Sequence, residues 1–133
     1  MRKVRKLCIV LSLLLVLSFF VAAPAFAADL INTTAIYGFG DSGNLKVSWN
    51  VYGIANDDVD KGKVTVQLQK YSGSWSTVKT VTEVEYNDDE IDNVRDNVSV
   101  SSAGNYRLKT VFYAENDGAT DTFTKWSASR YLN

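Results

Sequence analysis

The chain has 133 residues, with 15 acids against 14 bases, no histidine and a single cysteine. That length suits one domain of ordinary size. The lack of histidine removes the commonest general base and zinc ligand, and scattered Lys and Arg make a poor nucleic-acid binder, whose phosphate contacts need clustered positive charge.

The first element is a leader. Arg2, Lys3, Arg5 and Lys6 precede an apolar run from Leu7 to Val21, broken only by Ser12 and Ser18. Pro24 and the triplet Ala25-Phe26-Ala27 follow. A positive start, an apolar centre and a small-residue exit define a secretory signal peptide. The run is shorter than the roughly 20 apolar residues that a permanent anchor needs. Residues 1–27 are therefore expected to form a cleaved signal-peptide helix, and residues 28–133 the exported domain. Cys8 stands near the start of the apolar run, not at its exit, and is badly placed to be a lipid-anchored first residue. Cleavage leaves 106 residues with ten bases against 15 acids, a net charge near −5 and no cysteine. With no disulfide available, stability must come from an apolar core, for which Trp49, Trp75 and Trp126 offer large burial area.

The rest of the chain alternates with period two, and no segment holds a helical period for three turns. Leu30 to Ile36 reads as a first strand, followed by a Gly-rich turn at 38–43. Leu45, Val47, Trp49 and Val51 alternate with Lys46, Ser48, Asn50 and Tyr52, the pattern of a sheet covered on one face. Residues 53–62, with Asn56, Asp57, Asp58 and Asp60, read as a loop. Lys63 to Tyr71 forms a third strand, with Val64, Val66 and Leu68 inward. Ser72-Gly73-Ser74 turns into a fourth strand at about 75–86, rich in Thr and Val. Ile91, Val94, Val98 and Val100 mark a fifth strand whose alternation slips, as at a β-bulge. Tyr106, Leu108, Thr110, Phe112 and Ala114 share one face of a sixth strand, Asn116-Asp117-Gly118 turns, and residues 122–132 make a seventh. Seven short strands with turns at this spacing point to an all-β, antiparallel, seven-stranded β-sandwich.

Asn44-Leu45-Lys46-Val47-Ser48-Trp49 resembles the second strand of fibronectin type III domains, where a Trp fills the core between the sheets. Val100 and Tyr106 match the spacing of the apolar residue and the tyrosine opening the sixth strand in that family. The resemblance implies that Tyr106 is a corner tyrosine whose hydroxyl bonds back to the chain. Trp126-Ser127 is similar to the family's last strand. The prolines usual after the second strand and before the corner tyrosine are missing, and Ala114-Glu115-Asn116 comes two residues late. The resemblance covers most of residues 30–132 and implies a fibronectin type III or immunoglobulin-like sandwich. The chain also looks like small secreted proteins of Gram-positive bacteria.

If the strands alternate in direction, loops 53–62, 86–91 and 115–121 share one end. That end then carries Asp57, Asp58, Asp60, Asp88, Asp89, Glu90, Glu115, Asp117 and Asp121, while Gly and Ser turns occupy the other. Hard cations take several oxygen ligands, so Asp57, Asp58, Asp60, Asp88, Asp89 and Asp117 are candidate Ca²⁺ ligands, although no EF-hand spacing is present. The alternative is that these are ordinary solvated turn formers. Tyr71 and Trp75 flank a tight turn, and Tyr52 and Tyr113 lie on the less apolar faces of their strands. Such rings can stack on sugar, or simply pair across strands. Asn32-Thr33-Thr34 and Asn97-Val98-Ser99 fit the glycosylation triplet, which matters only in a eukaryotic host.

No Cys remains after cleavage, no Gly-x-Ser-x-Gly elbow or phosphate loop is present, and the acids sit in turns without an apolar cleft. No catalytic residue is assigned. The expectation is a secreted, non-catalytic binding or accessory module with a protein or glycan partner, no nucleic acid and no membrane after cleavage. The alternative is a Ca²⁺- or carbohydrate-binding module at the cell surface. The chain stops at Asn133 just after the last strand, so free release is expected over anchoring.

Overall fold

The computed structural model describes residues 29–133, so the expected leader at 1–27 lies outside the described residues. The alternating sequence forms eight strands and, among the described residues, no helix. They are β1 (Ile31–Asp41), β2 (Lys46–Val59), β3 (Lys61–Tyr71), β4 (Trp75–Glu85), β5 (Asp88–Ser99), β6 (Gly104–Asn116), β7 (Ala119–Trp126) and β8 (Arg130–Leu132). One sheet has three strands in the order β1-β2-β5. The other has five, β4-β3-β6-β7, with β8 pairing the start of β6 on the edge that β7 occupies further along. Every pairing is antiparallel.

The two sheets share one core. Val47, Trp49 and Val51 of β2 and Ile91 of β5 bury against Val64, Val66 and Leu68 of β3 and Leu108 and Phe112 of β6. Trp49, 2 % exposed, fills the space between the sheets, as its place in the apolar phase of β2 implies. The layers meet so closely that two strand positions must be glycine. A methyl group on Gly53 would stand 2.8 Å from Phe112 Cδ1 in the opposite sheet, and one on Gly62 would stand 2.5 Å from Ile91 Cγ1. The result is a β-sandwich-like, all-β fold.

Four sequence expectations change. The loop read at 53–62 is mostly strand: β2 continues to Val59 and Asp60 alone leads into β3. Gly53 and Ala55 keep the inward alternation, and the acids are taken up as a bulge between Ile54 and Val59, which pair with Glu90 and Asp88. β1 does not end at Ile36; it bulges between Tyr37 and Gly40 and reaches Asp41, so the turn is shorter and later. Leu45 is no strand residue, because Gly43, Asn44 and Leu45 all take left-handed φ, at 79°, 55° and 57°. Finally, the single strand expected at 122–132 is two. The Ser127 hydroxyl accepts the Leu108 N–H at 2.8 Å and donates to the Ala128 carbonyl, so a side chain interrupts the ladder between β7 and β8. The slip expected in the fifth strand is present: Val47 pairs Val98 while Trp49 pairs Arg95, and Asn97 takes φ 54° in the bulge.

Candidate functional site

Two places gather the chemistry-bearing residues. The first is the acidic end. The β2–β3 junction, the β4–β5 turn and the β6–β7 turn do emerge together, as simple alternation required. Asp60 Oδ2 accepts the Asp117 N–H at 2.8 Å, and Val59 pairs Asp88. Asp88 Oδ1 in turn accepts the Glu90 N–H at 3.0 Å. Asp121 Oδ2 accepts the N–H groups of Leu30 and Ile31 at 3.2 and 3.0 Å. These carboxylates hold backbone donors, the turn-forming role of Asp. Asp57, Asp58 and Asp89 are exposed. The six candidate calcium ligands thus reach one end of the molecule but not one point. Among the described residues no group of three or more acidic, cysteine or histidine side chains is placed to hold a metal ion.

The second place is the outer face of the five-stranded sheet. Register fixes its members, since directly paired residues point to the same side. Tyr106, Leu108, Thr110, Phe112 and Ala114 face the core, so Asn105, Arg107, Lys109, Val111, Tyr113 and Glu115 face out. Their partners on β3 are Lys61, Lys63, Thr65, Gln67 and Gln69, and on β7 and β8 Thr120, Thr122, Thr124, Trp126 and Tyr131. On β4, Trp75 pairs Tyr71 and Thr77 pairs Gln69.

Across the end of this face distant from the acids, Tyr131 pairs Asn105 and Tyr71 pairs Trp75, and carrying the β3–β6 register one step past Lys70–Tyr106 sets these pairs in one row. At a strand spacing of about 4.8 Å the row is roughly 14 Å long. Tyr71 and Trp75 are tilted at 55° with ring centroids 5.3 Å apart. One step along the strands, the Arg107 guanidinium lies 4.4 Å from the Trp75 ring centroid. Its Nε donates to Gln69 Oε1 at 2.9 Å, and Gln69 Nε2 meets Thr77 Oγ1 at 3.4 Å. One step further, Lys109 pairs Trp126, and nearer the acidic end Lys63 Nζ lies 5.0 Å from the Tyr113 ring. Arg107 and Lys63 are thus each set over a ring, an arrangement that attracts electrostatically. Tyr71, Trp126 and Tyr131 remain 48 %, 51 % and 62 % exposed.

Charge divides between the two outer faces. The five-stranded sheet shows Lys61, Lys63, Arg107 and Lys109 against Glu115. The three-stranded sheet shows Lys46 against Glu90 and Asp92, which pair with Ile54 and Tyr52. The ion pair formed among the described residues, Arg95 with Glu83, belongs to the flank where β5 meets β4, so the outward cations have no carboxylate partner there. Two phenols hold their protons more tightly than usual. Tyr113 is shifted up from 10.0, chiefly by its 2.8 Å hydrogen bond to Glu115 and then by desolvation. Tyr52 is shifted up by partial desolvation and then by the neighbouring Glu90, whose Oε1 accepts its hydroxyl at 3.3 Å.

Shallow clefts line both flanks where sheet edges face each other. One of about 350 Å³ runs between β1 and the β7–β8 break, past Phe39, Lys125 and Arg130. The other, about 320 Å³, passes Val78, Lys79 and Tyr106. Neither is lined by a carboxylate.

Tyr71 and Trp75, singled out from their turn, are thus adjacent on one face. Tyr113 shares that face, whereas Tyr52 is on the other sheet. The sequence reading missed Arg107, Lys109 and Lys63. It followed the apolar phase of β6 and β3, and the opposite phase, Arg107-x-Lys109-x-Val111-x-Tyr113, carried the signal. No family model, no curated protein and no solved structure matches this chain.

Proposed function

We propose that this protein is a secreted, non-catalytic, glycan-binding module whose contact surface is the outer face of the five-stranded sheet. The row of rings across that face carries the reading. Tyr71, Tyr131 and Trp126 offer exposed aromatic surface on the sheet, with Asn105 and Gln67 as hydrogen-bonding groups on the same face. A sugar ring presents an apolar C–H face for stacking and hydroxyls at its rim, which is what such a platform accommodates. Export rests on the leader at 1–27. A fibronectin type III-like, seven-stranded architecture is supported by buried Trp49 and by the Tyr106 hydroxyl, which donates to the Ser102 carbonyl at 2.7 Å. β7 and β8 then count as one interrupted strand.

The test is affinity electrophoresis of the exported protein through gels containing soluble polysaccharides, both neutral and acidic. Retardation by at least one polymer is expected, and Tyr71→Ser combined with Tyr131→Ser should abolish it while leaving the dichroism spectrum unchanged. Equal mobility in every gel would refute the reading. Amino-terminal sequencing of the protein from the medium should begin at Ala28.

A further inference from the structure

We infer that the ligand of this face is an acidic polysaccharide, one whose sugar units carry carboxylates. The inference rests on the glycan-binding reading and adds the charge. Although the exported chain has five more acids than bases, this face has the opposite balance, four cations to one anion. Its acid, Glu115, stands at the far end beside Lys61 and is engaged by the Tyr113 hydroxyl. Arg107 and Lys109 occupy the middle of the sheet, two residues apart on β6, flanked by Trp75 and Trp126 on opposite sides.

The geometry of Arg107 is specific. Its Nε is committed to Gln69 and its guanidinium carbon lies 4.4 Å from the Trp75 ring centroid, two contacts that hold the group in place. Its two terminal nitrogens are then the groups left to bind a carboxylate in a paired, charge-assisted contact. Lys109 offers a second charge one outward position along β6. Rings beside cations suit a ligand that alternates apolar faces with negative groups. A neutral glycan would leave these charges unanswered. Single-stranded nucleic acid also combines stacking with negative charge. Its phosphates are denser, however, and the acidic remainder of the molecule opposes so concentrated a polyanion.

Polygalacturonate and hyaluronate, each compared with its own methyl ester, test this directly, because esterification removes charge and keeps the sugar. Binding is read by isothermal titration at low and moderate salt, with a dT oligonucleotide as a further probe. The acid form of at least one polymer should bind about tenfold or more tighter than its ester, the difference expected from losing a charge-assisted hydrogen bond. The difference should narrow as salt rises. Arg107→Gln and Lys109→Gln should each erase most of it, whereas Lys46→Gln, the same charge loss on the opposite sheet, should not. Equal binding of acid and ester would overturn the inference and leave the glycan reading standing. Binding of neither, nor of any neutral polymer, would overturn both. Tighter binding of the dT oligonucleotide, or an equal loss in Lys46→Gln, would also overturn the inference.

Discussion

Asn93 is fully buried on β5, and its amide answers two groups at once. Its Oδ1 accepts the Trp49 indole N–H at 3.0 Å, and its Nδ2 donates to the Val81 carbonyl of β4 at 3.3 Å. Asn93→Leu would leave the indole N–H buried without an acceptor, so a loss of about 1–3 kcal/mol is expected in urea denaturation. Thr110 is the reverse case, since its hydroxyl oxygen is buried with no hydrogen-bond partner among the described residues. Thr110→Val is expected to stabilise by about 1 kcal/mol, because a desolvated hydroxyl with no hydrogen bond is replaced by a methyl group. The phenols of Tyr52 and Tyr113 have the pH consequence. Their folded-state pKa values lie above 10.0, so their contribution is complete below that value. Above it the unfolded chain loses its protons first, and stability falls until the folded phenols also ionise. The variant carrying both Tyr52→Phe and Tyr113→Phe should show a shallower fall in melting temperature above about pH 10.

At the level of strands, most of the fold was legible because each interior strand shows one apolar phase. Val64-x-Val66-x-Leu68 and Tyr106-x-Leu108 name both the strand and its buried side. What misled was polar residues inside ladders. Asp57 and Asp58 look like a loop, yet β2 carries them as a bulge and resumes with buried Val59. Ser127 looks like an ordinary strand residue, yet its hydroxyl takes an N–H that a carbonyl would otherwise receive. Neither outcome follows from local pattern, since each is decided by a partner strand distant in sequence. The candidate site was legible at Tyr71 and Trp75 and not at Arg107, because only register reveals that residues 71, 75, 105, 107 and 131 are neighbours. The glycine at the start of β3 makes an element-scale test. Gly62→Ala would drive a methyl group into the fully buried Ile91, and a loss of about 1–3 kcal/mol is expected from overpacking.

Taken whole, the sandwich has two unjoined flanks, each fastened by side chains and not by a ladder. On one, Arg95 reaches Glu83 and Asn93 reaches Val81. On the other, Lys125 Nζ donates to the Thr34 carbonyl at 2.6 Å, and Asp121 holds the N–H groups of Leu30 and Ile31. Asp121→Ala should therefore loosen the start of β1 without unfolding the molecule. Faster hydrogen exchange at residues 30–33, with the β3–β6 ladder still protected, is the expected pattern.

β1 opens at the acidic end, where Ile31 pairs Ala55. β8 closes at the opposite end, where Leu132 pairs Gly104 and the Asn133 N–H is donated to Asp41. Tension applied between these two points would run along the strands, loading the β1–β2 and β6–β8 hydrogen bonds in parallel instead of peeling them one by one. A molecule tethered at one end and gripped at the other would yield in a single abrupt step, at a force set by many bonds breaking together.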